Sequence, residues 1–276
     1  ITSGVNLGFA KAYNQLIKLA FQAGAEYFLV INPDTILQPR VVAELVDYLD
    51  CHPQVAAAMP KILRWDFAHQ NLTDYIDSLG VAITKKGAFF DDQQGCLDSQ
   101  IKEIQPIFGF SGAAVLLRLS ALKEVAFDNG QHQEYFDELM FMYKEDCDLS
   151  YRLRLADWSI DLVPTAVVYH DRTAARLGRT IFSQLWRRRQ TSHLVRSWSV
   201  AHQLIIFLKY CRLPKVWLTR CREISYIFQR LVIAILLEPF TWPYLWRVWR
   251  QRRAIQARQQ ALVIKIKPLD LEKWRR

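Results

Sequence analysis

The first 60 residues alternate between helical and strand patterns, and this alternation constrains the fold more than any other feature. Apolar side chains recur at helical intervals over residues 9–23, and the apolar run 27–31 indicates a buried strand that Pro33 terminates. Residues 39–50 form a second helical pattern, and residues 55–59 form a second apolar run. Helix, strand, helix and strand in this order predict an α/β fold built on a parallel sheet.

The downstream patterns add further strands and helices. Residues 61–105 mix short strand-like pieces with polar turns, whereas the sequence from residue 181 onward is helical, basic and aromatic. Between them we predict strands over residues 113–117, 158–163 and 166–169, the last two separated by Pro164, and helices that begin at Ser120 and span residues 145–156.

The net charge of +9 conceals two regions of opposite sign. Residues 1–171 carry 13 Lys and Arg against 23 Asp and Glu, a net charge of −10. Residues 172–276 carry 23 Lys and Arg against 4 acidic residues, a net charge of +19, and seven of the nine tryptophans also lie there. This asymmetry predicts two regions with different partners.

Cysteine usage, apolar runs and missing motifs exclude several classes of protein. The five cysteines form no C-x-x-C pair and cannot all pair with one another, which argues against a disulfide framework and for a reducing compartment. The longest clean apolar run, residues 231–237, is too short for a hydrocarbon core that needs about 20 residues. No leader peptide is visible. The P-loop, nucleophile-elbow, H-E-x-x-H and Cys/His zinc patterns are absent from the sequence.

The tetrapeptide Asn32-Pro33-Asp34-Thr35 follows a predicted buried strand. In open α/β sheets, ligands bind outside the carboxyl ends of the strands. Asp34 is therefore either a turn-forming residue or a ligand for Mg²⁺ or Mn²⁺, which favour carboxylate oxygens. His170 closes another predicted strand and is either structural or, with Asp34 as its companion, a second metal ligand. Their separation in sequence does not decide between these interpretations.

The acidic cluster Glu145-Asp146-Cys147-Asp148 opens a predicted helix. Carboxylates in a first turn complement the helix dipole, at roughly 0.3–1 kcal/mol each. The apolar run Phe141-Met142-Tyr143 directly before them favours a different interpretation, in which the carboxylates emerge from a packed wall and acquire the raised pKa of a general base. Asp148 is expected to be structural, one helical turn before Arg152. For the rest of the cluster both interpretations stay open on the pattern alone.

Taken in order, these motifs resemble inverting glycosyltransferases of family 2, in particular the bacterial rhamnosyltransferase-like branch. The resemblance covers about residues 1–175, and its specificity lies in the order and spacing of the motifs rather than in any one of them. The motifs are Asn6-x-Gly8-Phe9-Ala10 with Asn14, Asn32-Pro33-Asp34-Thr35, Ile76-Asp77-Ser78-x-Gly80, Gly109-Phe110-Ser111-Gly112-Ala113-Ala114, Phe136-Asp137-Glu138, Tyr143-x-Glu145-Asp146-x-Asp148-Leu149-x-x-Arg152-Leu153, Pro164 and His170.

The resemblance implies the GT-A fold, an α/β architecture in which a Rossmann-like nucleotide-binding half with a mixed, mostly parallel sheet is fused to an acceptor half. Members of the family begin with a strand–helix–strand unit that has no counterpart in this sequence. We therefore expect an amino-terminally incomplete GT-A domain that lacks its first β-α-β unit. This domain is expected to span residues 1–175, and a basic, aromatic, helical region that associates with the membrane is expected to span residues 176–276.

The resemblance also implies roles for individual residues. Asp146 is expected to be the catalytic base, and Asp34 and His170 are expected to hold a divalent metal, Mg²⁺ or Mn²⁺. Asn32 occupies the first acidic position of the family's D-x-D motif. We expect the nucleotide-sugar donor to contact Asn6, Gly8, Phe9, Asn14, Asn32 and Asp34, and the acceptor to contact Gly112 and Glu145.

These roles imply an inverting transfer of a sugar, with rhamnose the leading expectation, from a nucleotide-diphosphate donor to a hydroxyl of a glycan or lipid-linked acceptor. The pathway expected is cell-surface polysaccharide synthesis. Two alternatives remain open. The first is a nucleic-acid-binding protein acting through the basic carboxyl-terminal region, although the acidic residues 1–171 argue against nucleic acid as a partner. The second is a catalytically inactive scaffold on the same fold.

The basic carboxyl-terminal region also predicts a membrane surface as a partner. Helices over residues 181–262 would lie on the inner face of the cell membrane, so that the protein is cytoplasmic and peripheral, with arginines on anionic headgroups at about 1 kcal/mol each. The alternative is that the aromatic side chains pack on the catalytic domain and the arginines are solvated. The residues concerned are Arg187, Arg188, Arg189, Arg220, Arg222, Trp242, Tyr244, Trp246, Arg247, Trp249, Arg250, Arg252 and Arg253.

Overall fold

The computed structural model describes residues 3–99, 101–171, 192–213 and 216–276. The predicted domain boundary at residue 175 and the run Arg187, Arg188 and Arg189 lie outside these ranges. Within them the α-helices are α1 (Gly8–Gln22), α2 (Val41–Cys51), α3 (Leu119–Val125), α4 (Glu145–Leu155), α5 (His193–Tyr210), α6 (Trp217–Leu237), α7 (Trp242–Arg250) and α8 (Arg252–Gln260), and 3₁₀ helices span Pro239–Thr241 and Pro268–Trp274.

The strands agree in position with most of the predicted apolar runs. β1 ends at Ile31, immediately before the Asn32-Pro33 step that was expected to stop it. The strands are β1 (Tyr27–Ile31), β2 (Thr35–Leu37), β3 (Val55–Asp66), β4 (Asn71–Ser78), β5 (Val81–Ile83), β6 (Phe89–Asp91), β7 (Gln105–Pro106), β8 (Ala114–Arg118), β9 (Phe127–Asp128), β10 (Gln133–Glu134) and β11 (Ser159–His170).

The central sheet has the strand order β1-β8-β3-β11-β2, with β4 paired to β3 and β7 paired to β11. Strands β3 and β11 are parallel, whereas β8 is antiparallel to both of its neighbours, and β2, β4 and β7 are antiparallel to their partners. The predicted α/β class with a mixed sheet is confirmed, but the sheet is less parallel than the helix–strand alternation indicated. The reason is that β8, from farther along the chain, inserts between β1 and β3.

Small buried side chains in β3 allow the helices to cover the sheet closely. The first nine residues of β3 are buried, and three of them are the alanines 56–58. Helix α2 packs against β3 and β11. It buries Val41, Leu45 and Leu49 and leaves Val42 exposed. Each fully buried Leu or Val contributes about 1.5–3 kcal/mol relative to an exposed one.

Residues 159–170 form one strand, β11, and not the two that Pro164 was expected to separate. Proline lacks the N–H that a ladder needs, and the register of β11 against β3 shifts between Val163 and Val167. The irregularity interrupts the pairing without ending the strand. As a result His170, the last residue of β11, pairs with Thr35 at the start of β2.

The carboxyl-terminal helices share a hydrophobic cluster with the preceding region. The Tyr210 ring of α5 stacks on Tyr151 of α4, with centroids 4.0 Å apart. The next residue back, Lys209, is fully buried, and its Nζ lies 2.8 Å from Asp137 Oδ2 and 2.5 Å from Asp148 Oδ1. The two regions that differ in charge are thus packed together in the described part of the chain. The cluster includes Val81, Ile83, Phe108, Met140, Leu155, Ala201, Ile205, Ile206, Val248, Ile255 and Leu271.

One side of α6 and α7 exposes apolar and aromatic side chains. Among the described helices, none alone is long and apolar enough to cross a membrane, but Trp217–Leu237 and Pro239–Arg250, bent by 110°, meet that test together. Large exposed sets of apolar side chains are unusual on a protein surface. We call it the α6–α7 apolar surface, and it consists of Trp217, Leu218, Ile224, Phe228, Val232, Ile235, Leu236, Leu237, Trp242, Trp246 and Trp249.

Candidate active site

The turn after β1 presents Asp34 to solvent. The hydroxyl of Thr35 donates to the carbonyl oxygen of Asn32 at 2.7 Å and closes the turn. The backbone N–H of Asn32 donates to the carbonyl of Ala113 at 2.9 Å, which fixes the turn against the start of β8. The Asp34 side chain is 49% exposed. A carboxylate held at this edge is accessible to a cation or a polar ligand.

The pairing of β2 with β11 brings His170 beside Asp34. The Nε2 atom of His170 lies 3.4 Å from Asp34 Oδ1 and 3.5 Å from Asn32 Nδ2. On the other side of the ring, Nδ1 lies 2.9 Å from Asp77 Oδ2. A carboxylate only accepts, so Nδ1 carries a hydrogen and donates it to Asp77, while Nε2 faces Asp34. Metal-binding histidines characteristically have such a carboxylate partner on the second nitrogen.

Asp77 is the residue of this edge to which the sequence assigned no role. It lies in β4, and its side chain is buried against His170. The only sequence signal is its position in Ile76-Asp77-Ser78, an acid between residues of a buried strand. The imidazole Nε2 and the Asp34 carboxylate form an N,O donor set of the kind that binds divalent metal ions. The residues predicted to hold a divalent metal therefore meet in the fold, with Asp77 orienting one of them.

A second acidic cluster could also suggest a metal. Ligand atoms of His132, Glu134 and Glu138 lie within 4.8 Å of one another. Glu134, however, forms an ion pair with Arg258 at 2.6 Å, and Glu138 accepts from His132 and from the amide of Asn14. These carboxylates are already satisfied by protein groups, so we regard the cluster as structural.

Asp146 lies in the first turn of α4 and is held by backbone N–H groups. Its Oδ2 accepts from Gly112 at 3.1 Å, and its Oδ1 accepts from Cys147 at 2.7 Å. Burial raises the pKa of Asp146, and these two N–H groups act in the opposite direction. No ion pair to Asp146 is found among the described residues. A carboxylate with a raised pKa and no bound cation has the properties that a general base needs.

Glu145 precedes Asp146 but has a different environment. It is buried, and its Oε2 has no hydrogen-bond partner within the described ranges. Burial raises the pKa of Glu145 well above its usual range, and the charge of Asp146 raises it further. Glu145 is therefore the more readily protonated of the two carboxyl groups. The assignment of the base to Asp146 rather than to Glu145 stays a prediction.

The segment Gly112-Ala113 joins the two parts of the site. Gly112 donates to Asp146, and the next residue, Ala113, accepts from Asn32. A Cβ on Gly112 would lie 3.4 Å from the Phe9 ring and 3.6 Å from Asp146 Oδ2. The turn that carries Asp34 and the helix that carries Asp146 thus flank one short stretch of backbone.

The predicted donor-binding residues of the amino terminus divide into two groups. Gly8 adopts φ +72° and packs so closely on Phe141 that a Cβ there would lie 2.4 Å from its carbonyl oxygen. The N–H of Phe9 donates to the same carbonyl at 2.8 Å, and Asn6 accepts from the N–H of Gly8. These three residues lie beside the segment that leads into α4. Their contact with a donor remains a prediction.

Asn14 belongs to the second group, because its amide is used within the protein. Its Nδ2 donates to the carbonyl of Phe136 at 2.8 Å and to Glu138 at 3.1 Å. Its Oδ1 accepts from the N–H groups of Tyr135 and Phe136. All four hydrogen-bonding positions of the buried amide are occupied, which leaves none for a donor sugar. Asn14 positions the 135–138 segment.

The turn that leads into α4 has an unusual backbone conformation. Tyr143 and Lys144 have φ values of +71° and +72°, a region in which a non-glycine residue costs about 1–2 kcal/mol. His202 of α5 lies 2.9 Å from the Tyr143 carbonyl through Nδ1, and burial lowers the pKa of His202 to about 4. The neutral ring therefore donates to that carbonyl. Trp198 covers the Tyr143 ring, with centroids 6.2 Å apart.

Comparisons with known proteins agree with this arrangement. Residues 27–249 match the family described as Glycosyl transferase family group 2. Two relatives from Mycobacterium tuberculosis, strains CDC 1551 / Oshkosh and ATCC 25618 / H37Rv, are described as N-acetylglucosaminyl-diphospho-decaprenol L-rhamnosyltransferase. Each is 29% identical over 208 residues, which cover 70% of this chain. The chain spans 65% of the length of these curated relatives.

A solved structure of a more distant protein has the same fold. It is described as the crystal structure of GalNAc-T7 with UDP, GalNAc and Mn2+, and it superimposes with a TM-score of 0.55 at 13% sequence identity. The similarity covers 93% of this chain and 43% of that chain. At this identity the likeness supports the GT-A fold and nothing finer. The family match, in contrast, extends over most of the chain, and this chain therefore belongs to glycosyl transferase family group 2.

Proposed function

We propose that this protein is an inverting glycosyltransferase that transfers a sugar from a nucleotide-diphosphate donor to a hydroxyl of a lipid-linked or glycan acceptor. The observation that carries the proposal is the bridge made by Gly112-Ala113, which places Asp146 next to the Asn32–Asp34 turn. A base and a cation-binding edge on either side of one backbone segment provide what a direct displacement at an anomeric carbon requires.

In the proposed reaction Asp146 accepts the proton of the acceptor hydroxyl. The hydroxyl oxygen bonds to the anomeric carbon from the face opposite the leaving group, and the bond from that carbon to the diphosphate oxygen breaks. The electron pair of that bond leaves with the nucleoside diphosphate, so the configuration inverts without a covalent enzyme intermediate. Asp34 and His170 would hold Mg²⁺ or Mn²⁺, which supplies charge neutralisation for the leaving diphosphate when bound. Asp77 keeps the His170 ring oriented for that role.

We further propose a rhamnosyl donor and a lipid-diphosphate-linked acceptor. The support for this substrate class is the 29% identity to relatives whose name specifies transfer of L-rhamnose to N-acetylglucosaminyl-diphospho-decaprenol. dTDP-rhamnose is the leading candidate donor. The pathway would be the synthesis of a cell-surface polysaccharide.

A lipid-linked acceptor requires the enzyme to work at a bilayer, and we propose that the α6–α7 apolar surface provides the contact. Its exposed side chains include Phe228, Leu236 and Leu237, each more than two-thirds exposed, and four tryptophans of the kind found at headgroup depth. Arginines of the same helices would add attraction to anionic lipids. The protein would then be peripheral on the inner face of the cell membrane.

The catalytic proposal is tested with the purified chain, dTDP-rhamnose and a short-chain prenyl-diphosphate N-acetylglucosamine. Asp146→Asn keeps the shape of the side chain and removes its basicity, so turnover should fall at least about 10²-fold. Asp157→Asn removes an exposed carboxylate just after the same helix and serves as the matched control. Asp34→Ala and EDTA should each abolish turnover. Full activity in EDTA, or an active Asp146→Asn variant beside an inactive Glu145→Gln variant, would overturn the assignment.

The membrane contact is tested by flotation with vesicles of phosphatidylcholine and phosphatidylglycerol. The triple variant Phe228→Gln, Leu236→Gln and Leu237→Gln should lose most of the binding at low salt. The control, Leu16→Gln, Leu19→Gln and Leu72→Gln, changes three exposed apolar side chains elsewhere and should float like the wild type. Equal flotation of both variants would show that this surface is not the membrane contact.

A further inference from the structure

Two cationic side chains, Lys144 near the proposed base and Arg230 of α6, are not used by the proposed chemistry. Lys144 is the residue before Glu145, at the positive end of α4, and its Nζ lies 5.4 Å from the centroid of the Phe89 ring. Within the described ranges its side chain forms no ion pair at 4 Å or less. Arg230 lies in α6, and its buried Nε has no hydrogen-bond partner in the same ranges. Neither cation is therefore neutralised by direct contact with a described carboxylate.

The packing of α6 brings Arg230 toward Lys144. Glu223, Ile227 and Arg230 lie on one face of the helix, at intervals of four and three residues. Glu223 and Ile227 line the same cleft as Gly87 and Phe89, and a Cβ on Gly87 would lie 3.1 Å from the Glu223 side chain. This face of α6 thus packs against the segment that carries Phe89, the ring beneath Lys144. Burial lowers the pKa of Lys144, and the positive charge of Arg230 lowers it further, as expected for neighbouring cations. The charges of Asp146 and Asp91 act in the opposite direction.

Two partly buried like charges repel one another unless an anion lies between them. The anion class follows from the location. Lys144 is two residues from Asp146, where the acceptor hydroxyl would react, and α6 carries the exposed apolar surface on its other side. A ligand with a sugar hydroxyl, a neighbouring anion and an apolar tail could place these groups near Asp146, near the two cations and along the α6–α7 apolar surface, in that order.

We propose that Lys144 and Arg230 form the binding site for the diphosphate of a prenyl-diphosphate-linked acceptor. The proposal rests on the proposed glycosyl transfer and adds the residues that select the acceptor. The sugar would extend from the diphosphate toward Asp146, and the prenyl chain would run along α6 toward the bilayer. Because the donor also carries a diphosphate, binding of the acceptor diphosphate must be distinguished from binding of the donor diphosphate.

The kinetic test uses the double variant Lys144→Gln, Arg230→Gln and a control, Lys18→Gln, Arg40→Gln, which removes the same charge from exposed positions. Each is assayed with the short-chain prenyl-diphosphate N-acetylglucosamine and with an alkyl glycoside of the same sugar that has no diphosphate. The KM for the diphosphate acceptor should rise about 10- to 100-fold in the double variant. The KM for the alkyl glycoside and for the donor should not change, and the control should behave as the wild type.

Three outcomes would overturn the proposal. A raised KM for the donor alone would assign the cations to the donor diphosphate. An equal loss of kcat with both acceptors would assign them to positioning Asp146. An unchanged KM for the diphosphate acceptor would remove them from recognition altogether. The single variant Arg230→Gln controls for a distortion of the turn at Lys144, because Arg230 lies in a different helix. It should also raise the KM for the diphosphate acceptor.

A binding measurement separates this proposal from the proposed reaction. Inorganic pyrophosphate is titrated calorimetrically into the wild type and the double variant in EDTA, so that no metal contributes. Binding should weaken at least about tenfold in the double variant and be unchanged in the control. If the wild type transfers sugar to neither acceptor, the proposed function fails, while the pyrophosphate titration still decides the anion site. Equal pyrophosphate binding by wild type and double variant would contradict the site whatever the activity.

Discussion

Two carboxylates of the same helix turn, Asp146 and Asp148, have opposite environments. Asp148 is fully buried and is neutralised by Lys209 at 2.5 Å and Arg152 at 3.1 Å, and it accepts from the hydroxyl of Tyr210. Asp146 accepts two backbone N–H groups and forms no ion pair with a described residue. Because its charge is neutralised, Asp148 acts as a structural residue. Asp146 has no such ion pair with a described residue and is available to accept a proton.

The contrast extends beyond these two residues. Asp137 lies on the neutralised side, where burial alone would raise its pKa, but the charges of Lys209 and Arg258 overcome this and lower the pKa to about 2. Glu145 lies on the other side and has a pKa raised by burial. We call the neutralised set Asp137, Asp148, Arg152, Lys209 and Arg258 the buried ion cluster.

The largest effect is expected from breaking the buried ion cluster. Lys209→Met removes the one cation that contacts both Asp137 and Asp148 and leaves two buried carboxylates with less compensation. Loss of one partner in such a cluster costs about 3–5 kcal/mol. The free energy of unfolding from urea denaturation should fall by that amount, while Lys123→Met, at an exposed position, should change it little. A loss below about 1 kcal/mol would mean that the cluster does not hold the two regions together.

A smaller effect is expected from changing Asp77, which contacts the proposed metal ligand His170. Asp77→Asn keeps a polar contact to Nδ1 of His170 but removes the negative charge that orients and polarises the ring. Loss of such a partner typically weakens metal binding about 10- to 100-fold. The affinity for Mn²⁺, measured by calorimetry and by the concentration that gives half-maximal turnover, should fall accordingly. Asp74→Asn, at an exposed position of β4, is the control. An unchanged Mn²⁺ affinity would contradict a role of Asp77, and of the His170 ring that it orients, in binding the metal.

A moderate effect on turnover is expected at the turn before α4. His202→Ala leaves the Tyr143 carbonyl without its donor and removes one constraint on the left-handed turn, so kcat should fall about tenfold with little change in the donor KM. His202→Asn places an amide N–H near the position of Nδ1 and should restore much of the activity. If the asparagine variant is as slow as the alanine variant while both have the wild-type melting temperature, the hydrogen bond is not what positions Asp146.

The smallest effect is a pH dependence of stability at Glu145. Its pKa is higher in the folded state than in the unfolded chain, so the folded protein binds more protons, and stability falls as the pH rises above about 4.5 toward the folded pKa. Glu145→Gln should flatten this fall and leave the variant more stable than the wild type at neutral pH. Urea denaturation between pH 4.5 and 8 measures it. Identical pH profiles for the two proteins would mean that Glu145 ionises in the folded state as it does in the unfolded chain.

Much of the local structure could be predicted from sequence, because it depends on near neighbours. The helix that begins at Gly8, the strand that ends at Ile31 and the helix that begins at Glu145 agree with periodicity and with the placement of proline. Pro164 was misleading, because the missing N–H interrupts the pairing of β11 with β3 only locally, and that pairing resumes at Val167. The antiparallel insertion of β8 between β1 and β3 was also not predicted, since strand order depends on distant segments.

The candidate site was predicted residue by residue only where a motif marks the chemistry. Asp34, His170 and Asp146 could be proposed from strand ends, an acidic first turn and the family resemblance. Asn14 shares that resemblance, but its amide is consumed by the 135–138 backbone. Asp77 contacts His170, which is 93 positions away, and His202 contacts Tyr143, which is 59 positions away. The role suggested for Arg230 depends on the packing of α6 against a distant segment. No local sequence pattern indicates any of these contacts.

The sequence by itself determined the α/β class, the family, the acidic first turn of α4 and the contrast between an acidic and a basic region. Side-chain periodicity, proline and charge are properties of the chain that need no partner. Only the tertiary structure decided which carboxylates are neutralised, because Lys209 reaches Asp148 across 61 positions. The physical reason is that the pKa and the role of a carboxylate depend on burial and on the charges within a few ångströms, and folding alone brings those charges to it.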